Sequence, residues 1–210
     1  MELLKGVHVI QTYANCALLV DDRLILVDTG ADGGAKDILG YLDRIKRKPT
    51  DVSTIIITHT HPDHVGGLAL MKERSGAKVA AHRVEADYIS RKKPYPGPPG
   101  VQRHEPVDVD VLLDDIQRFE GMLVLYTPGH TPGSISLLDE GRKLLIAGDA
   151  CQTEEGTIGP MDDRFNIDPR MHRESIKKLA QLDFEALIVG HGKPFASGQS
   201  RILKQLASSL

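Results

Sequence analysis

Short apolar segments separated by polar turns run along most of the chain, and this pattern predicts many β-strands. The first three segments follow one another closely and are typical of an antiparallel meander. The run Ile55–Ile57 is apolar without alternation, which indicates a strand buried on both faces of a parallel sheet. The predicted strands are Val7–Thr12, Cys16–Val20, Arg23–Val27, Thr54–Thr58, Lys78–Ala81, Asp108–Asp115, Phe119–Tyr126, Ser134–Asp139, Arg142–Ala147 and Phe184–Val189.

Other segments carry apolar residues three and four positions apart, the spacing of a helix with one buried face. Pro49 ends the first of them, and Asp168 followed by Pro169 is a typical helix start. The predicted helices are Asp32–Lys48, Val65–Arg74, Asp168–Leu182 and Ser200–Ala207, with one or two helical turns at Val84–Ser90. Strands followed by helices occur twice, so an α/β fold is expected.

Two long segments lack either pattern. Arg91–Val109 contains five prolines and two glycines, so it is neither a regular helix nor a central strand. Gln152–Ile167 is the second irregular segment. Long irregular segments inside a compact domain are often functional loops, so we expect the proline-rich loop at 91–109 to cover or wall a site; the alternative is a solvated surface excursion. Its candidate substrate-facing residues are Arg91, Lys92, Lys93, Tyr95, Arg103 and His104, of which Lys92, Lys93 and Tyr95 are the candidate substrate-binding residues.

The length and composition of the chain mainly exclude classes of protein. With 210 residues, the chain is expected to form one domain over residues 1–210. Its formal net charge of −3 argues against nucleic-acid binding, which needs a basic face. No apolar run reaches membrane-spanning length, and Met1–Gly6 does not resemble a signal peptide. Cys16 and Cys151 form no paired motif, so a reduced, cytoplasmic setting is expected. The sequence does not define an oligomeric state.

Four candidate metal ligands directly follow the apolar run at Ile55–Ile57. His59 and His61 are two residues apart, so their side chains point to the same side of an extended chain. Pro62 starts a helix that carries Asp63 and His64 in its first turn. Imidazole and carboxylate groups at this spacing favour a divalent metal over an ordinary polar loop. His82 also follows a strand but lies outside this pattern, so it is expected to be packed or hydrogen-bonded.

The motif His59-x-His61-x-Asp63-His64 resembles the signature of the metallo-β-lactamase superfamily. The superfamily pattern needs three more ligands on loops after later strands. His130, Asp149 and His191 stand in such places, and the matched segments occur in order from about Val7 to Phe195. The resemblance implies a four-layer αββα sandwich with mixed sheets.

The resemblance also implies two divalent metal ions, with zinc favoured and iron or manganese tolerated. Such ions typically lie about 3.5–4 Å apart. Asp28, in the segment Asp28–Thr29–Gly30, would orient the histidine loop from behind. The implied ligands are His59, His61 and His130 for the first ion, Asp63, His64 and His191 for the second, and Asp149 between the two.

Within the superfamily, the compact chain is similar to the glyoxalase II-like branch. This branch implies a hydrolase in which a metal-bound hydroxide attacks a small ester-type substrate, while Asp63 holds or moves the proton. A thioester is the favoured substrate, and a lactone or other ester is the alternative. The basic run at Arg91–Lys93 favours an anionic substrate. Two further alternatives are a persulfide dioxygenase-like enzyme with one iron and a non-catalytic metal-binding domain.

Overall fold

The computed structural model describes residues 1–97 and 104–210. Contacts between residues divide the chain into two compact units, Met1–Leu112 and Leu113–Leu210. The single domain over residues 1–210 stays a prediction. Within the described ranges, no helix is both long enough and apolar enough to cross a membrane.

The first unit is built on a seven-stranded sheet whose strands follow their order in the chain. Neighbouring strands are antiparallel from β1 to β4, and then β4, β5 and β6 run parallel. The predicted meander is therefore confirmed and forms one side of a mixed sheet. The strands are β1 (Glu2–Leu4), β2 (Val7–Ile10), β3 (Cys16–Val20), β4 (Leu24–Val27), β5 (Val52–Ile57), β6 (Lys78–His82) and β7 (Val111–Leu113), the last of which runs across the boundary between the units.

The helices of the first unit differ from the predicted helices at two places. They are α1 (Lys36–Arg44), α2 (Pro62–Val65), α3 (Leu68–Ser75) and α4 (Arg83–Ile89). Helix α1 is shorter than predicted because Ala35 and Lys46 have positive φ angles of 47° and 56°, which helical residues do not adopt. The predicted helix Val65–Arg74 is wrong at its start. Gly66 and Gly67 separate α2 from α3. A Cβ at Gly66 would lie 2.4 Å from the carbonyl oxygen of Ala31, so the close approach of the two segments requires glycine there.

The second unit contains a five-stranded sheet in the order β14-β11-β10-β9-β8, in which only the β11–β14 pair is parallel. Its strands are β8 (Arg118–Phe119), β9 (Met122–Tyr126), β10 (Ile135–Asp139), β11 (Leu144–Gly148) and β14 (Ala186–Val189). Helices α5 (Pro169–Leu179) and α6 (Gln199–Ser209) complete it, and Asp168 caps α5 as predicted, accepting from the N–H groups of Arg170 and Met171. The prediction that Gln152–Ile167 is irregular is wrong in part, because a hairpin of β12 (Gln152–Glu154) and β13 (Thr157–Gly159) and a short 3₁₀ turn lie inside it.

Each unit has a separate apolar core. All residues of β4 are buried in the first unit, as are all residues of β10, β11 and β14 in the second. Strands that are apolar on both faces must be covered on both sides, which fixes their positions and the directions of the loops at their ends. In the second unit, Asp149 and His191 follow β11 and β14, and His130 lies on the loop between β9 and β10. The histidine motif of the first unit follows β5.

Candidate metal centre

In the first unit, the loop after β5 carries three buried imidazoles. The ring centroids of His59 and His61 are 4.7 Å apart, and those of His59 and His64 are 4.0 Å apart. One ligand atom of His59 lies within 4.8 Å of one of His61, and Asp63 and His64 form a second such pair. His61 caps α2 in an extended conformation, so the chain turns between His61 and Asp63. The local sequence therefore brings all four predicted ligands of this unit to one place.

Asp28 supports this loop from the end of β4. Its side chain is buried. Oδ1 accepts a hydrogen bond from the Thr58 amide at 2.8 Å, and Oδ2 accepts one from the Thr58 hydroxyl at 2.7 Å. Oδ2 also lies 2.8 Å from Nδ1 of His64. An ionised carboxylate only accepts, so Nδ1 of His64 carries the proton and Nε2 is the unprotonated nitrogen. Thr29 holds the same histidine through its N–H and hydroxyl, which lie 2.7 and 2.9 Å from the His64 carbonyl oxygen.

Thr58 extends this support to His59. Its hydroxyl proton goes to Asp28, so the Thr58 oxygen accepts from Nδ1 of His59 at 3.1 Å. His59 is thereby held with its proton on Nδ1, like His64. The contacts of Asp28 are those expected of an orienting residue; its role toward a metal stays a prediction.

Glu85 supports the same loop from α4, although no pattern in the sequence points to it. It is fully buried, and Oε1 accepts the amide of Thr60 at 2.7 Å. Thr60 stands between His59 and His61, so this bond fixes the backbone that carries both. His82 caps α4 by accepting the amide of Val84 at 3.3 Å, as expected for a histidine outside the ligand pattern.

In the second unit, one carboxylate oxygen faces two imidazoles. Oδ2 of Asp149 lies 3.2 Å from Nε2 of His130 and 3.3 Å from Nε2 of His191. His130 and Asp149 are almost completely buried, whereas about a quarter of the His191 side chain is exposed. These residues follow β9, β11 and β14, so three strand ends meet at Asp149. Burial, together with Asp149, raises the pKa of the nearby Cys151 thiol to about 12, which keeps it protonated at pH 7.

Two glycines allow these loops to pack closely. Gly129 has φ 122°, and a Cβ there would lie 2.1 Å from the backbone nitrogen of His172. Gly192 has φ 104°, and a Cβ there would lie 2.0 Å from the carbonyl oxygen of Thr153. Both positions require glycine for conformation and for space, so His130 and His191 are held by backbone contacts as well as by their side chains.

Asn166 and His172 contact this group, and the sequence analysis missed both. Nδ1 of His130 lies 2.9 Å from Oδ1 of Asn166, and Nε2 of His172 lies 3.2 Å from the backbone oxygen of Asp149. Burial is the main cause that lowers the pKa of His172, so its ring is neutral at pH 7. Neither residue belongs to a motif, because the contacts arise only when the loop and α5 pack together.

The proline-rich loop of the first unit brings Tyr95 near the histidines. The ring centroids of Tyr95 and His61 are 5.8 Å apart. Burial, with the Asp63 and Glu85 carboxylates, raises the pKa of the Tyr95 phenol well above its usual range, so it is a neutral hydrogen-bond donor.

Nζ of Lys92 lies 3.3 Å from Asp108 and Nζ of Lys93 lies 3.2 Å from Asp87. A cavity of about 120 Å³ lies here, lined by Tyr88, Arg91, Lys92, Lys93, Pro94, Tyr95 and His104. Arg103 lies outside the described residues.

The donor chemistry of both units fits divalent metal ions. Buried imidazole nitrogens and carboxylate oxygens suit zinc and also accept iron or manganese. In both units the supporting hydrogen bond takes the proton on Nδ1, so Nε2 is the unprotonated nitrogen of His59, His64 and His130. Such outer hydrogen bonds are typical of metal-binding histidines.

Comparison with known proteins defines the class. The family model described as the metallo-beta-lactamase superfamily matches residues 9–191, so the chain belongs to this superfamily. The predicted fold class, an α/β metallo-β-lactamase fold with mixed sheets, is confirmed by its structural neighbours. A mutant of the Cronobacter sakazakii metallo-β-lactamase with a HARLDQ motif has a TM-score of 0.80 at 23% identity, covering 100% of this chain and 92% of that chain.

Two relatives are similar in sequence over nearly their whole lengths. The probable metallo-hydrolase YflN of Bacillus subtilis is 30% identical over 246 aligned residues, which cover 100% of this chain and 92% of that protein. The hydroxyacylglutathione hydrolase GloC of Haemophilus influenzae is 26% identical over 200 residues, 89% of each chain. These relatives support a metal-dependent hydrolase and agree with the resemblance to the glyoxalase II-like branch.

Proposed function

We propose that this protein is a hydrolase with two divalent metal ions, zinc favoured, that acts on a small thioester. One observation carries the proposal. A single oxygen of Asp149 lies within 3.3 Å of imidazole nitrogens from two different loops, His130 and His191. A carboxylate placed in this way is suited to be shared between two ions, each of which also binds one of the imidazoles.

The superfamily resemblance assigns the remaining ligands. His59, His61 and His130 would hold the first ion, and Asp63, His64 and His191 the second, with Asp149 shared. Bound divalent ions polarise a carbonyl oxygen and lower the pKa of a coordinated water from about 15.7 to about 7.

The chain's own residues would position the substrate and handle the proton. Asp63 is half-buried, so its carboxylate can hold a proton while remaining open to a substrate. The neutral Tyr95 phenol can donate a hydrogen bond to a substrate oxygen. Lys92 and Lys93 are exposed and paired with aspartates, and exposed pairs of this kind are weak. They therefore remain available to an anionic substrate. The thioester is favoured over a lactone because GloC is a hydroxyacylglutathione hydrolase by name.

The test combines metal analysis with a substrate screen. Metal-free protein is loaded with zinc, manganese or iron and analysed for metal content, and each form is assayed on thioesters, lactones and phosphodiesters. We expect close to two zinc ions per chain, and thioester hydrolysis that a chelator removes and zinc restores. One iron per chain with oxygen uptake on a persulfide would favour the dioxygenase. Tight metal binding with no turnover in the screen would indicate a non-catalytic domain.

A further inference from the structure

We infer that Asn166 is a positioning residue for His130, and that His172 and the backbone carbonyl of Asp149 fix the amide of Asn166 in turn. The four groups form one chain of hydrogen bonds within the second unit. The inference rests on the proposed role of His130 as a metal ligand, and it extends that proposal by naming what sets the orientation and tautomer of the ligand.

The direction of the chain follows from its far end. His172 is fully buried in α5, and its Nε2 lies 3.2 Å from the carbonyl oxygen of Asp149. A carbonyl oxygen cannot donate, so Nε2 of His172 carries the proton. In a neutral imidazole the other nitrogen is then an acceptor. Nδ1 of His172 therefore presents a lone pair to Asn166.

Two acceptors decide which way the Asn166 amide faces. Its Nδ2 lies 3.4 Å from Nδ1 of His172 and 3.3 Å from the carbonyl oxygen of Met161. Either contact alone is long, but both partners can only accept, so both select the same orientation. The oxygen and nitrogen of an asparagine side chain are often ambiguous; here Oδ1 must face His130.

His130 is thereby fixed as a donor at Nδ1. This atom lies 2.9 Å from Oδ1 of Asn166, so it carries the proton. The other nitrogen, Nε2, lies 3.2 Å from Oδ2 of Asp149, on the side of the other proposed ligands. The backbone oxygen of Asp149 thus sets the tautomer of His130 through two intervening side chains, while the Asp149 carboxylate faces the same histidine directly.

Backbone contacts hold the two segments of this chain together. The amide of Asp168 donates to the Gly129 carbonyl at 2.9 Å, and the Ser175 hydroxyl donates to the Pro128 carbonyl at 2.6 Å. The lack of a side chain at Gly129 lets the backbone of His172 approach. The start of α5 is therefore fixed against the loop of His130, and Asn166 cannot withdraw without breaking these bonds.

The experiment compares three variants by zinc affinity, measured by competition with a chelator. Asn166→Leu replaces the side-chain amide, with its carbonyl and its NH₂ group, by an apolar side chain of similar size. We expect about 10–100-fold weaker zinc binding, the usual effect of losing such a partner. Asn166→Asp keeps an acceptor for His130 but loses the donor to His172 and Met161, so its zinc affinity should fall less than that of Asn166→Leu. Gln199→Leu is the matched control, because Gln199 is a buried amide of the same unit that donates to Ser197. It should leave zinc affinity unchanged.

The second measurement is the tautomer of each ring, read from ¹⁵N imidazole shifts of the wild type with and without zinc. We expect the proton of His172 on Nε2 and that of His130 on Nδ1. A proton on Nδ1 of His172, unchanged zinc affinity in Asn166→Leu, or an equal loss in Gln199→Leu would overturn the inference. A wild-type protein that binds no zinc would instead overturn the proposed function, and the tautomers of the metal-free protein would still test the chain. They also decide the matter if Asn166→Leu does not fold.

Discussion

The substitution Asp28→Asn tests how the first unit orients its histidines. Asp28 has φ 61°, a left-handed conformation that asparagine also tolerates, so the backbone is not perturbed. The side chains have the same shape and differ in one group. An amide nitrogen replaces one carboxylate oxygen, and all three partners of Asp28 are donors: the Thr58 amide, the Thr58 hydroxyl and Nδ1 of His64. In either orientation the new NH₂ group faces a donor.

The magnitude follows from these contacts. The net contribution of a hydrogen bond with a charged group to the free energy of unfolding is about 1.5–3 kcal/mol. The variant loses at least one such bond and weakens the others, so the free energy of unfolding of the metal-free protein should fall by about 2–3 kcal/mol. His64 can restore a contact only by moving its proton to Nε2, the nitrogen proposed to bind metal. Zinc affinity should therefore fall by about 10–100-fold.

Denaturant unfolding and chelator competition measure the two effects. Asp110→Asn is the matched control, because Asp110 also accepts a backbone amide, that of Val79, and pairs with Lys72 in the same unit. Asp110 lies far along the chain from the histidine loop, so the Asp110→Asn variant should lose stability without losing zinc affinity. If Asp28→Asn keeps the wild-type affinity, or if both variants lose affinity equally, the orienting role of Asp28 is refuted.

Three further predictions follow from the site. Asp149→Ala should abolish turnover and weaken the binding of both metal ions, while His82→Ala leaves the metal content unchanged; elemental analysis giving the opposite pattern would show the ligand assignment to be wrong. Neutralising Lys92 and Lys93 together should raise KM and reduce its dependence on salt while kcat stays nearly constant, whereas unchanged kinetics would show that these lysines are merely solvated. Burial is the main cause that lowers the pKa of His104 from 6.5. Just below pH 6.5, His104 is therefore protonated more fully in the unfolded chain than in the folded chain. The free energy of unfolding of the metal-free protein should therefore fall as the pH drops below about 6.5, and a fall as steep in His104→Gln would contradict this origin.

The sequence predicted the elements whose signal is periodic over several residues. Strand β3 was predicted at its observed bounds, because its buried residues form an unbroken apolar run. The hairpin of β12 and β13 was missed because its strands have three residues each, too few for an alternation to be seen. The start of α1 was placed too early because the positive φ of Ala35 depends on the fold and not on the residue type.

The candidate ligands were predictable because their chemistry is local. The first four candidate ligands lie within six residues of sequence: His59, His61, Asp63 and His64. The later ligands stand beside glycines at strand ends. Glu85, Asn166 and His172 were not predictable in this way. Glu85 lies 25 residues from Thr60 and Asn166 lies 36 residues from His130, so no pattern in the sequence connects them.

The supporting residues nevertheless share one chemical feature. His64 donates to a carboxylate, His59 to a threonine hydroxyl whose proton is already committed, and His130 to an amide oxygen. Each partner is made an acceptor by its own surroundings, so each imidazole must carry its proton on Nδ1 and turn Nε2 toward the site. The three acceptors come from different elements in two separate units, which share no local sequence. A common proton arrangement reached through Asp28 in the first unit and, independently, through Asn166 in the second is better explained by a requirement at Nε2 than by packing, since packing alone does not distinguish the two nitrogens of a ring.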